Sequence, residues 1–168
     1  MFSPDFETAA ALLAQEEPDA TALQTAISTV SADYWDSRTH GTLLHVAAKY
    51  DTVYCRKARW VRVLVETCGF LPNCQGSEGS TPAAWAIAGY MYHETADLDT
   101  LKYLLSLSGF DANARLALRG SLKRHLKEQF APLPRLQPVL DLLKRHRERR
   151  LRPLCLVRHR HRRYLFTH

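Results

Sequence analysis

The sequence predicts an all-α fold, a short solenoid of stacked antiparallel helix pairs, and three observations predict it. Thr42-Leu43-Leu44-His45-Val46-Ala47-Ala48 and Thr81-Pro82-Ala83-Ala84-Trp85-Ala86-Ile87-Ala88 begin two similar helical patterns. A second apolar pattern follows each, Val61, Leu64 and Val65 in one case, Leu101, Leu104 and Leu105 in the other. Each unit then runs into Gly-Phe-x-x-Asn, at Gly69–Asn73 and again at Gly109–Asn113, so the glycines recur at nearly the interval that separates Thr42 from Thr81. Landmarks recurring at one period mark a repeat architecture, in which a helix pair leaves an apolar side that only its neighbour can cover. No strand pattern competes.

Taken in order, residues 4–15 and 19–31 predict a first helix pair broken at Pro18, with Pro4 and Asp5 at the start. Thr42 and Thr81 are placed to cap the inner helices, each hydroxyl accepting a first-turn N–H. Pro82 then falls at the first helical position, where no donor is lost. Ala47, Ala48, Ala83, Ala84, Ala86 and Ala88 keep these helices thin, and His45 can bridge turns through its two ring nitrogens. Gly69 and Gly109 are expected to end the second helices in the left-handed conformation, which costs other residues about 1 kcal/mol or more. Residues 121–130 and 135–147, separated by Ala131-Pro132-Leu133-Pro134, predict a degenerate last pair with Leu136, Leu140 and Leu143 on one stripe. Residues 151–165 read as one more amphipathic helix. The expected divisions are an acidic capping pair over 1–37, the repeats over 38–147 and a basic helix or tail over 148–168.

The opening Gly79-Ser80-Thr81-Pro82 and the helix Thr42–Ala48 resemble the ankyrin repeat, with its G-x-T-P-L-H-x-A-A helix, leucine-rich second helix and G-x-x-x-N turn. The resemblance covers residues 39–113. Ankyrin units usually span about 33 residues, so the extra residues are expected between paired helices, at Tyr50–Arg56 and Tyr90–Ala96. What the resemblance implies is a non-catalytic protein–protein interaction surface. Its finger-like turns would be Asp33–Gly41, Leu71–Ser80 and Asp111–Gly120. Tyr34, Trp35 and Arg38 in the first turn, and Tyr90, Tyr92 and His93 in the second connection, are the candidate partner contacts. Exposed Trp, Tyr and Arg dominate binding energy at interfaces. Trp35 covering the core edge is the competing role. Trp60 and Trp85 fall at core-like helical spacing.

Composition narrows the remaining classes. Hydrophobic residues are 46% of 168, enough to build a core. No apolar run approaches the ~20 residues that cross a bilayer, and the N-terminus lacks the basic start and apolar stretch of a secretory signal. Cys55, Cys68, Cys74 and Cys155 have no framework spacing and read as reduced thiols, which places the chain inside a cell, in the cytoplasm, the nucleus or both. No nucleophile, phosphate-loop or dinucleotide motif occurs, so no enzyme activity and no cofactor are expected. Cys68, Cys74 and His93 are the nearest thing to a zinc set, and buried structural thiols are the preferred reading. A monomer is expected.

The net charge of +6 is strongly polarised. Positions 1–37 hold seven acids and no Lys or Arg, whereas positions 144–168 hold ten Lys and Arg against Glu148 alone. Lys144, Arg145, Arg147, Arg149, Arg150, Arg158, Arg160, Arg162 and Arg163 form a basic patch with three readings. It can be a solvated helix face, or a nuclear address or nucleic-acid surface binding phosphates. Third, Leu151-Arg152-Pro153-Leu154-Cys155 resembles the start of a SOCS box. That resemblance implies a ubiquitin-ligase adaptor gripping elongin B/C through Leu151, Leu154 and Cys155. Leu133-Pro134, Val139-Leu140 and Leu156-Val157-Arg158 resemble an F-box in spacing, which would instead imply Skp1.

Overall fold

The computed structural model describes residues 4–76, 79–110, 115–116, 120–121, 126, 130 and 133–161, with backbone only at 115–116, 120–121 and 150–161. Their regular secondary structure is helical apart from one short antiparallel ladder and an isolated bridge. In chain order the helices are α1 (Pro4–Leu13), α2 (Ala20–Ser28), α3 (Leu43–Val53), α4 (Arg59–Arg62), α5 (Pro82–Tyr92), α6 (Asp99–Ser106) and α7 (Leu136–His161). α4 runs directly into a π-helical turn, Val63–Thr67.

Local chemistry explains most boundaries. Pro4 opens α1, and Asp5 and Glu7 sit in its first turn, where carboxylates favour the positive end of the helix. The Asp19 carboxylate accepts the N–H groups of Thr21 (2.9 Å) and Ala22 (3.1 Å) to begin α2. Thr42 and Thr81 are the N-caps of α3 and α5, and Pro82 is the first residue of α5. Asp51, on α3, does the same service for α4. Its carboxylate accepts the N–H groups of Trp60 (2.7 Å) and Val61 (3.0 Å).

Three boundaries differ from expectation. The extra residues of each unit mostly lengthen the first helix, since α3 reaches Val53 and α5 reaches Tyr92. The α3–α4 connection is then a tight turn with Cys55, Lys57 and Ala58 all at positive φ (53°, 52° and 61°). Gly69 is left-handed as predicted (φ 74°), but Gly109 is not. α6 is ended earlier, by an extended Leu107 (φ −68°, ψ 133°), so no left-handed residue is needed two positions later. The two helices expected over 135–147 and 151–165 are one, because the backbone stays helical from Leu136 through His161. At 26 residues, α7 is about 39 Å long.

α1 packs on α2 and α3, α3 on α4, α5 and α6, α5 on α6, and α6 on α7. One hydrophobic cluster threads all of them, from Phe6, Leu13 and Leu23 through Leu44, Trp60, Leu64 and Ile87 to Leu104, Leu126 and Val139. Phe70 and Phe110, the aromatics of the repeated Gly-Phe pair, are both fully buried. Close approach of α3 and α5 depends on Gly89, where an added Cβ would stand 3.0 Å from the Lys49 carbonyl oxygen.

Several contacts between elements recur at the sequence period. Backbone closures occur as an antiparallel bridge at Asp36–Gly41, a hydrogen bond from the Gly76 N–H to the Ser80 carbonyl, and an antiparallel ladder pairing Arg115 with Ser121 and Leu116 with Gly120. Each sits one repeat length beyond the last. Side chains also reach one unit along the chain. Tyr54 Oη donates to the Ala14 carbonyl (2.9 Å), and Cys55 Sγ to that of Thr95 (3.0 Å). Arg135 Nη2 donates to that of Ala96 (3.0 Å). Arg56 donates to the carbonyls of Leu13, Gln15 and Glu16, which satisfies acceptors that the end of α1 leaves open.

Candidate partner-binding surface

The first finger is braced at its base and along one side. Asp36, 3% exposed, accepts the N–H groups of Arg38 (3.1 Å) and Thr39 (2.8 Å), while its own N–H donates to the Gly41 carbonyl (3.0 Å). Burial pushes its carboxyl up, yet the Thr39 and Arg38 N–H groups outweigh that and hold it below the usual carboxylate range. Tyr34 is half-buried with its ring 5.4 Å from Phe6 of α1, and Arg38 pairs with Glu7 at 3.2 Å. Of the three residues singled out in this finger, two are therefore turned back on α1. Trp35 is 42% exposed, and the Arg38 side chain, though paired, is 55% exposed.

The second cluster gathers side chains that lie far apart in the sequence. Tyr90 is half-buried beneath the Arg135 guanidinium, 4.2 Å from its ring centre. Tyr92 is 67% exposed, and its ring meets the buried Phe130 edge to face at 5.5 Å. His93 is exposed and ends α5 in an extended conformation. Sequence reasoning does not single out Phe130 or Arg135 as members, although Arg135 stands one repeat length beyond Thr95 and two beyond Cys55. That register is the available signal.

The base of the second finger is held by a polar knot. The Thr42 N–H donates to His45 Nδ1 (3.1 Å), so Nδ1 is unprotonated and Nε2 carries the hydrogen donated to the Ser80 carbonyl (3.1 Å). Burial drives the His45 pKa down to about 4, which keeps the ring neutral. Cys74 Sγ lies 3.4 Å from Thr42 Oγ1 and 3.9 Å from His45 Nδ1. Burial pushes that thiol up. A protonated thiol beside a neutral imidazole braces the finger and offers no thiolate for attack. Trp85 leans its edge on the same imidazole, 5.5 Å between ring centres, and Trp60 is 1% exposed, so both pack as expected.

Among the described residues, no three His, Cys, Asp or Glu side chains are grouped to hold a metal ion, and no helix is long and apolar enough to cross a membrane. Cys55, Cys68 and Cys74 are free thiols.

The C-terminal candidates divide three ways. Lys144, Arg145, Arg147 and Arg149 are exposed on α7. Arg150, Leu151, Leu154, Cys155, Arg158 and Arg160 belong to its helical backbone, whereas Arg162 and Arg163 lie outside the described residues. Val139, of the F-box-like spacing, is 0% exposed and is spent on the core of this chain. Compared with known proteins, the chain matches no family model, no curated protein and no solved structure.

Proposed function

We propose that this chain is a non-catalytic protein–protein interaction module, a short ankyrin-like stack of helix pairs whose turns hold a protein partner. The three backbone closures, spaced one repeat length apart, support the stacked reading, as do side-chain contacts that reach one unit along the chain. The single observation that carries the binding role is the setting of Trp35. It is a 42% exposed indole on a turn whose neighbours Tyr34 and Arg38 are tied to α1 and whose base is closed by Asp36. A large aromatic on a braced frame loses little entropy when a partner covers it. Tyr92, backed by Phe130, is a second anchor of the same kind.

The test is quantitative affinity purification of the full chain beside a Trp35→Ala/Tyr92→Ala variant. Both side chains are exposed, and circular dichroism of the variant checks that it folds. Specific partners should bind it at least about 30-fold more weakly, the loss of about 2 kcal/mol that marks an interface anchor. A specific partner retained at full affinity overturns the assignment of the turns as the contact surface.

A further inference from the structure

A groove of about 300 Å³ lies between α6 and α7. Its walls are two helical stripes. Lys102, Leu105 and Ser106 follow one another at i, i+3 and i+4 on α6, and Leu142, Arg145, His146 and Arg149 at i, i+3, i+4 and i+7 on α7. Such spacing puts each set on one face of its helix. Its apolar lining is the half-buried Leu142 and the edge of Leu105, itself only 8% exposed, while the rim carries three cations drawn from two elements. Arg145 and Arg149 are exposed, and Lys102 is held at the edge by Asp99, 2.8 Å from its ammonium. Asp99 is the acid that an incoming carboxylate would displace. From Leu142 to Arg149 the α7 wall rises about 10 Å, two turns of a helix.

We infer that this groove docks a short acidic amphipathic helix of a partner protein, its carboxylates on Lys102, Arg145 and Arg149 and its apolar side chains on Leu105 and Leu142. Charge complementarity supplies the choice of an acidic ligand. The half-buried Leu142 separates a peptide from a nucleic acid, because a sugar-phosphate backbone would satisfy the cations and leave that leucine uncovered. The site stands on α6 and α7 alone and does not depend on Trp35 or Tyr92, so it survives if the turns prove not to bind.

The probe is a fluorescein-labelled helical peptide of about 12 residues, long enough for three turns, with glutamates on one stripe and leucines on the next. Fluorescence anisotropy with the full chain should show saturable binding, weakened at least about tenfold by Lys102→Gln and by Arg145→Gln. Both side chains are solvent-facing, and circular dichroism checks that each variant folds. A peptide of equal charge with serine at the leucine positions should also bind at least about tenfold more weakly. Lys102 is the decisive residue, since it lies far from the basic run in sequence. Equal affinity for wild type and Lys102→Gln assigns any binding to the α7 charges alone and overturns the groove. Equal affinity for the leucine and serine peptides overturns the apolar lining. A single-stranded oligonucleotide of about 20 nucleotides, the alternative ligand, overturns the proposal if it displaces the peptide with the same dependence on Lys102.

Discussion

His45 and Asp51 are buried on the same helix, and burial moves their protonation equilibria in opposite senses. For His45 the charged form is penalised, and its pKa falls from 6.5 to about 4. For Asp51 burial raises the carboxyl from 3.8 to about 6, against the opposing Val61 and Trp60 N–H groups and the Arg56 guanidinium at 3.8 Å. Between pH 4 and 6 the unfolded chain binds more protons than the native chain at His45 and fewer at Asp51. The histidine therefore contributes stability above pH 6.5 that is lost as pH falls towards 4. The aspartate contributes stability below pH 3.8 that is lost as pH rises through 6. Over the shared window the two slopes oppose, each up to about 1.4 kcal/mol per pH unit. Urea titrations of wild type, Asp51→Asn and His45→Gln across pH 4–7 should reveal this. Measured as differences from wild type, Asp51→Asn gains and His45→Gln loses relative stability with rising pH. Profiles parallel to wild type would show that neither group titrates as its burial requires. Sequence places His45 in a structural role because its motif is local. Asp51 carries no such signal, since nothing in the sequence says that its carboxylate reaches forward to the first turn of another helix.

Among elements, the second helices of the two central units end differently despite carrying the same Gly-Phe pair. After the π turn, Gly69 is left-handed and the Phe70 N–H bonds the Leu64 carbonyl (3.0 Å), a closure one residue wider than the usual Schellman turn. After α6 the chain turns out at Leu107, and Gly109 needs no special conformation. Space is open around both glycines, so conformation alone separates them. Gly69→Ala should cost about 1 kcal/mol, whereas Gly109→Ala should be neutral or gain about 0.5 kcal/mol through a less flexible unfolded chain. Denaturant midpoints decide it, and equal losses would mean that both turns need the left-handed region. The sequence shows where helices begin better than where they end. Caps at Thr42 and Thr81 are one-residue signals, but an ending depends on which later residue first leaves the helical region. The same limit hides the continuity of α7. Leu133-Pro134 reads as a break and is one, while the charged run after residue 144 offers no periodicity to join the two helices expected there.

At the scale of the molecule, Arg56 ties one unit to the next. Its side chain is 8% exposed, caps the carbonyls that end α1, lies 3.8 Å from buried Asp51 and covers the Tyr54 ring at 4.8 Å. Arg56→Ala leaves Asp51 buried without its cation and α1 without its cap, and should cost about 3 kcal/mol. Arg38→Ala removes an ion pair whose members are each more than half exposed and should cost at most about 1 kcal/mol. Urea midpoints of the two variants compare them, and losses of similar size would mean that the Arg56 contacts are no stronger than those of a surface pair. Much of this architecture is legible from the period alone, because Phe70 and Phe110, the finger closures and the inner-helix caps all follow it. The groove between α6 and α7 is not, because only the folded chain brings Lys102 beside a basic stripe that lies a whole unit further along.

The reach of His45 bears on how the chain is made. Its buried Nε2–H donates to the Ser80 carbonyl, 35 residues further on, and an imidazole hydrogen left without an acceptor there costs about 1–3 kcal/mol. A ribosome adding about 5–20 residues per second needs roughly 2–7 s to deliver that oxygen. During those seconds the His45 imidazole lacks the acceptor that it has in the complete fold.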